Sequence, residues 1–106
     1  MLDKPATEPL ATLRPFVVGV TKDIPFNVSW PFPRSVLVYS EGLLFRQLGV
    51  ETWIPRDAID ELYQDAGIVR LRWSQDGRDL TASMNEWFGK RQIPEVLLKA
   101  GYVFNV

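Results

Sequence analysis

The side chains that most often carry out chemistry in proteins are scarce here, since the chain has no histidine and no cysteine. Their absence removes the commonest general base and the preferred ligands of zinc. Only carboxylates could hold a metal, and Asp57, Asp60 and Glu61 lack the alternating ligands and central glycine of a calcium loop. Neither Lys90 nor Lys99 has a serine at a spacing that indicates a serine–lysine pair. We therefore expect no catalytic residue, no metal and no cofactor, and a protein that is not an enzyme.

Basic side chains form the first group that could bind a ligand. The set comprises Arg46, Arg56, Arg70, Arg72, Arg78, Lys90 and Arg91. If Arg46, Arg70 and Arg72 lie on the outer faces of their strands, their guanidinium groups could converge on a phosphate or a carboxylate. The alternative is that these arginines pair with acids on neighbouring strands, such as Glu51 or Asp79. Arg46, Arg56, Arg70 and Arg72 are kept as candidate binding residues.

Large aromatic side chains form the second group. They include Trp30, Phe32, Trp53, Trp73, Trp87 and Phe88, and four tryptophans are many for 106 residues. We assign Trp73 and Trp53 to the core. Trp30 and Phe32 differ, because Pro31 and Pro33 break their segment, which is then poorly placed to bury two rings. This segment is either a lid over the core or an exposed apolar patch for a partner or a second copy.

Charge and hydropathy indicate the class of partner. Twelve basic and thirteen acidic residues give a net charge of −1, whereas nucleic-acid binders normally carry a basic excess. No apolar run approaches the roughly 20 residues that a membrane-spanning helix needs. The N-terminal residues, with Asp3 and several prolines, do not resemble a signal peptide. We expect a cytoplasmic protein with no nucleic-acid partner and no transmembrane segment, while peripheral membrane contact stays open.

The elements that would position these side chains are mostly short strands. Residues 1–14, with Pro5 and Pro9, are expected to form a flexible arm, and residues 15–106 a single domain. Apolar runs then alternate with turn residues, which is typical of an antiparallel sandwich or barrel. Pro31 and Pro33 restrict the second strand to an edge or a corner. Strands are predicted at residues 16–20, 26–30, 35–40, 43–48, 51–54, 58–63, 68–73 and 79–84, with a helical turn as the alternative at 55–57 and at the start of 58–63.

Local signals add detail at the turns and at the C-terminal end. Isolated glycines 42, 49, 67 and 77 fall at predicted turns, where a positive φ is expected. Within 68–73, Val69, Leu71 and Trp73 share one face. A helix could start at Ser83, which has capping-box spacing to Glu86, or at Pro94. The second start is better supported by an apolar stripe of Ile93, Val96, Leu97 and Ala100, followed by Gly101.

Four segments carry a resemblance to a known family. They are Trp30-Pro31-Phe32-Pro33, the strand–turn–strand run 37–46, the run 53–59 with its Ile-Pro, and the helix 94–102. Over about residues 16–104 the chain resembles small bacterial domains of the pleckstrin-homology-like (PH-like) family. The resemblance implies a strongly bent antiparallel sandwich or partly open barrel of about seven strands, capped by one C-terminal helix. PH-like folds bind lipid head groups, bind peptides or self-assemble, so the fold implies no single function.

Two functions remain open. The first is a non-enzymatic interaction or scaffold domain that binds a protein partner or itself, as a homo-oligomer, with Trp30 and Phe32 at the contact and sheet edges available for strand addition. The second is a module for a small anion or a lipid head group that uses Arg46, Arg70 and Arg72. An exposed aromatic patch would favour the first, and converging arginines beside a hollow would favour the second.

Overall fold

The structure is a computed structural model that describes residue 5, residues 7–87 and residues 90–105. Phe88 and part of the predicted N-terminal arm, residues 1–4 and 6, lie outside the described residues. The strands within them are β1 (Ala11–Leu13), β2 (Val17–Thr21), β3 (Pro25–Ser29), β4 (Arg34–Val38), β5 (Gly42–Gln47), β6 (Val50–Pro55), β7 (Ile59–Asp65), β8 (Ile68–Gln75) and β9 (Arg78–Asn85). A short 3-10 helix (Arg56–Ala58) precedes β7, and helix α1 (Gln92–Lys99) follows β9.

The strands form two antiparallel sheets that share one core. The four-stranded sheet has the order β1-β4-β5-β6, and the five-stranded sheet has the order β3-β2-β9-β8-β7. The sheets do not close into a barrel. The expected mostly-β sandwich with one C-terminal helix is confirmed, with nine strands in the described residues rather than about seven. β3 lies at a sheet edge, as its flanking prolines predicted.

One strand, β1, matches none of the eight that the sequence predicted, and it lies in the segment that we assigned to the N-terminal arm. Ala11–Leu13 pairs with β4 from Val36 to Val38, and Leu13 is buried in the core. Three residues are too short to show the alternation by which strands are recognised in a sequence. Only the pairing with β4, which the sequence does not specify, makes this segment a strand.

The core fills the space between the inward faces of the two sheets. β8 shows the predicted alternation, since Val69, Leu71 and Trp73 are buried. Trp53 was expected in the same core, but it is only partly buried and lies beside Tyr39, with ring centroids 5.8 Å apart. Its strand neighbours Thr52 and Ile54 take the inward positions, so Trp53 is on the outer face of the four-stranded sheet.

One polar side chain crosses from the four-stranded sheet to the other. Gln47 ends β5 and is fully buried, on the inward face with Leu43 and Phe45. Its Nε2 donates hydrogen bonds to the carbonyl of Val18 in β2, at 2.9 Å, and to the carbonyl of Phe26 in β3, at 2.8 Å. Burying an amide group without hydrogen-bond partners costs free energy of folding. These two bonds therefore link the sheets in one specific arrangement.

The C-terminal helix packs on the core through its predicted apolar stripe. Ile93 and Leu97 are buried, and Gly101 ends the helix with a φ of 95°. The alternative start at Ser83 is wrong, since that residue lies in β9. Glu86 nevertheless caps the helix, because its carboxylate accepts a hydrogen bond from the Ile93 N–H at 2.9 Å.

Candidate functional site

Three strand ends bring four aromatic rings together at one corner of the molecule. Phe16 directly precedes β2, Trp30 directly follows β3, and Trp87 follows β9 by two residues. Phe32 lies in the turn between β3 and β4. Because β3, β2 and β9 are antiparallel neighbours, the end of β3, the start of β2 and the end of β9 meet at the same end of the five-stranded sheet. We call Phe16, Trp30, Phe32 and Trp87 the aromatic corner.

Backbone hydrogen bonds hold the corner in place. The Trp30 N–H donates to the Phe16 carbonyl at 2.9 Å, and the Phe32 N–H donates to the Ser29 carbonyl at 2.9 Å. The indole Nε1 of Trp87 donates to the carbonyl of Arg14 at 2.8 Å. The rings therefore project from a fixed backbone rather than from a free loop.

Three of the rings contact one another, and all four remain open to solvent. The Phe16 and Trp87 centroids lie 5.1 Å apart and the Trp30 and Trp87 centroids 6.1 Å apart, both edge to face. The guanidinium carbon of Arg34 lies 5.8 Å from the centre of the Trp87 ring. Exposed fractions run from 38% for Trp87 to 59% for Phe32. Rings this exposed do not form a lid, so the corner is an exposed patch.

The sequence identified only part of this patch. Trp30 and Phe32 were singled out because of the prolines beside them, and both are exposed. Phe16 was assigned only to a strand, and Trp87 was noted only as one aromatic among six. Arg34 was not noted at all. The missing signal is the pairing of β2 with both β3 and β9, which joins residues far apart in the chain.

The candidate arginines are distributed over separate surfaces. Arg46 lies in β5 of the four-stranded sheet and pairs with Glu51 on β6, at 3.0 Å from Nε to Oε2. Arg70 and Arg72 lie in β8 of the other sheet, on its outer face. The three guanidinium groups therefore do not converge, because the core separates Arg46 from the other two. The alternative interpretation, pairing with acids on neighbouring strands, is correct for Arg46 and Arg72. Arg72 pairs with Glu61 at 2.9 Å between Nη1 and Oε1.

Arg56 anchors the C-terminal segment. Its guanidinium donates to the Ser40 carbonyl at 3.3 Å and to the Gly101 carbonyl. It also lies over the ring of Tyr102, with the guanidinium carbon 4.9 Å from the ring centroid. Tyr102 is buried, and its hydroxyl donates to the carbonyl of Tyr39 at 2.7 Å. These contacts give Arg56 a structural role that was not foreseen from the sequence.

Tyr102 gives the fold a testable response to alkaline pH. Burial raises the pKa of its hydroxyl, so the folded state keeps a proton that the unfolded chain loses near pH 10. The Tyr102 hydroxyl therefore makes its full contribution to the free energy of unfolding below about pH 10, and this contribution falls as the pH rises further. Tyr102→Phe should therefore lose about 1 kcal/mol at pH 8, through the missing hydrogen bond, and decline less steeply above pH 10. Urea unfolding from pH 8 to 11 measures both slopes, and parallel slopes would contradict the expectation.

Two of the three acidic residues considered as metal ligands make other contacts. Asp60 accepts a hydrogen bond from the hydroxyl of Ser74, and Glu61 pairs with Arg72. Asp57 lies in the 3-10 helix. Within the described ranges, no three acidic side chains are grouped closely enough to hold a metal ion. No helix in the same ranges has the length and apolar character that crossing a membrane requires.

Comparisons of the chain with protein-family models, with curated proteins and with solved structures gave no match. Membership of the PH-like family therefore stays a prediction from the sequence segments quoted above.

Proposed function

We propose that this chain is a non-enzymatic protein-interaction domain that self-associates through its aromatic corner. The observation that carries the proposal is the exposure of four fixed rings in one patch, with Trp30 at 56% and Phe32 at 59%. Large apolar patches on small domains commonly mark interaction sites, and tryptophan is enriched among the residues that dominate binding energy. The side chain of Arg34 adds a cation beside Trp87, a second residue type common in such sites.

A second copy of the chain is the partner that the charge and the patch composition favour. The net charge of −1 produces little repulsion between copies. The patch is aromatic with one cation, and such surfaces complement themselves because rings pack edge to face and guanidinium groups stack on rings. A two-fold axis through the corner would place Trp30 and Phe32 of each copy against the other.

The size of the patch predicts a weak complex. Four rings, each exposed by about half, offer roughly 400 Å² of apolar surface per copy. Two copies would bury roughly 800 Å², below the 1,200 Å² at which stable interfaces begin. We therefore expect reversible association that depends on protein concentration, rather than a permanent dimer.

Two coarser features accompany this proposal. We propose a cytoplasmic location, which fits a chain without cysteine, and a bacterial PH-like origin, which rests on the sequence resemblance alone. A helix that follows the last strand and packs on a two-sheet core supports the PH-like assignment. A solved structure of a relative with the same strand order would test it.

The test of self-association is the solution mass over a wide concentration range, by light scattering or sedimentation equilibrium. The wild-type protein should move from monomer toward dimer as its concentration rises. Trp30→Ala combined with Phe32→Ala should stay monomeric, because it removes the two most exposed rings of the corner. Its far-UV spectrum should be unchanged, since both side chains are largely in solvent.

A control variant removes apolar groups elsewhere on the surface that are exposed even more than Trp30 and Phe32. Ile24 and Val103 are each 78% exposed and lie outside the aromatic corner. Ile24→Ala combined with Val103→Ala should associate like the wild type. A wild-type protein that remains monomeric at every concentration would refute self-association, and equal dissociation of both double variants would refute the corner as its site.

A further inference from the structure

The outer face of the five-stranded sheet carries a polar trough that crosses all five strands. Two rows of residues, aligned by strand register, line it. The first row is Tyr63, Arg70, Ser83, Gly19 and Asn27, and the second is Glu61, Arg72, Thr81, Thr21 and Pro25. With strands about 4.8 Å apart, the trough is about 19 Å long and about 7 Å wide. It encloses about 430 Å³.

The sizes of the side chains produce the hollow. The adjacent strands β2 and β9 contribute Gly19, Thr21, Thr81, Ala82 and Ser83 to it, none of them a long side chain. Long side chains from β7 and β8 form the wall at one end. At the other end the side chain of Asn27 bends over Gly19, where a Cβ atom would lie only 2.2 Å from its Oδ1. The trough is therefore a consequence of this sequence and not of sheet geometry alone.

The two arginines of the trough differ in how far they are neutralised. Arg72 makes a close ion pair with Glu61, at 2.9 Å between Nη1 and Oε1. Arg70 has only Asp65, whose Oδ2 lies 3.8 Å from Nε, beyond hydrogen-bonding distance. In the described part of the chain no other acceptor lies within hydrogen-bonding distance of the Arg70 guanidinium. Its planar donors are therefore available to a ligand, and its charge is only weakly compensated.

We propose that this trough binds an oxyanion, the phosphate or carboxylate group of a small polar molecule, with Arg70 as its principal contact. A guanidinium presents parallel N–H donors that match two oxygens of such a group. Ser83 is the cross-strand neighbour of Arg70 on β9, and its hydroxyl can donate to the same oxyanion. Thr81 and Thr21 continue the row of hydroxyls beside it, which suits a ligand with further polar groups. This site is separate from the aromatic corner and does not depend on self-association.

The proposal is tested by titrating the protein with sodium phosphate and, separately, with sodium succinate, against sodium chloride at equal ionic strength. Amide resonances of Arg70, Ser83 and Gly19 should shift with at least one of the two anions and saturate. Arg70→Ala should lower the association constant about ten-fold or more, since it removes a guanidinium that donates two charge-assisted hydrogen bonds. Arg46→Ala is the matched control, because it removes an outer-face arginine from the other sheet, and it should bind like the wild type.

Asp65→Asn distinguishes a ligand contact from a structural role of Arg70. Removing the carboxylate 3.8 Å away leaves Arg70 more positive, so the association constant should rise about two- to three-fold. Misfolding cannot produce a gain in affinity. The proposal is overturned if neither anion shifts the trough resonances, or if Arg70→Ala and Arg46→Ala bind alike.

Sedimentation with vesicles that contain phosphatidic acid identifies the source of the oxyanion. Binding to vesicles that Arg70→Ala abolishes would assign the site to a lipid head group. Binding of the free anion without binding to vesicles would assign it to a soluble molecule. Both results support an oxyanion site at Arg70, and they settle which of its two sources the protein uses.

Discussion

Gln47→Leu is expected to lower the free energy of unfolding by about 2–4 kcal/mol, although leucine is of similar size and more hydrophobic. Gln47 is 1% exposed, and its amide donates to the carbonyls of Val18 and Phe26 on two strands of the opposite sheet. Leucine would lose both hydrogen bonds and face two buried carbonyl oxygens with methyl groups. Each abandoned acceptor costs about 1–3 kcal/mol, which exceeds the gain from a more apolar side chain.

Urea unfolding measures this loss, and an exposed glutamine provides the control. Gln64→Leu replaces the same residue type on β7, where the side chain is in solvent, and should change stability by less than about 0.5 kcal/mol. Equal stability of Gln47→Leu and wild type would show that the inter-sheet hydrogen bonds make no net contribution. Since small domains are stable by only about 5–15 kcal/mol, the expected loss is a large fraction of the total.

Gln47 also shows what strand alternation could have predicted. Leu43, Phe45 and Gln47 share one face of β5, and the sequence alone places a polar residue at a core position. What the sequence could not supply is the partner, because Val18 and Phe26 are more than 20 positions away. Local patterns indicate which way a side chain points, whereas its contacts depend on how the two sheets pack.

The rest of the fold likewise divides into features with a local sequence signal and features that depend on long-range pairing. The sequence predicted eight strands close to their observed positions, the edge position of β3 and the helix with its glycine end, because each has a local signal. It missed β1, whose three residues are a strand only through pairing with β4. It placed Trp53 in the core because large aromatics are usually buried, but register puts that residue on the outer face.

The candidate sites depended on long-range pairing even more. Arg46, Arg70 and Arg72 look equivalent in sequence, since each is a polar residue in an apolar strand. Only the division into two sheets separates Arg46 from the others, and only the register places Arg70 beside Ser83. The aromatic corner likewise joins Phe16, Trp30 and Trp87 from three segments. Residue type indicated the candidates, and strand order decided which of them share a surface.

Gly42→Ala is expected to lower the free energy of unfolding by about 3 kcal/mol, for a reason that differs from the one its turn position suggested. Gly42 does not have a positive φ, unlike Gly49, Gly67 and Gly77. It is buried where β5 begins, and an added Cβ would lie 2.4 Å from the carbonyl oxygen of Ile54 and 2.8 Å from the ring of Trp53. The ring could move, but the carbonyl belongs to the paired strand β6 and cannot move without distorting the sheet.

Gly49 provides the matched comparison because it combines a φ of 84° with open space around its Cβ position. Gly49→Ala should cost only about 1 kcal/mol, from backbone strain. Gly49→Asn should cost less still, since asparagine tolerates the left-handed region better than alanine does. Gly42→Asn should instead be worse than Gly42→Ala, because it adds volume where none is free. If asparagine is less destabilising than alanine at Gly49 but more destabilising than alanine at Gly42, then Gly42 is required for lack of space and Gly49 for its backbone conformation. If asparagine is less destabilising than alanine at both positions, Gly42 is required for its backbone conformation, as a turn glycine is.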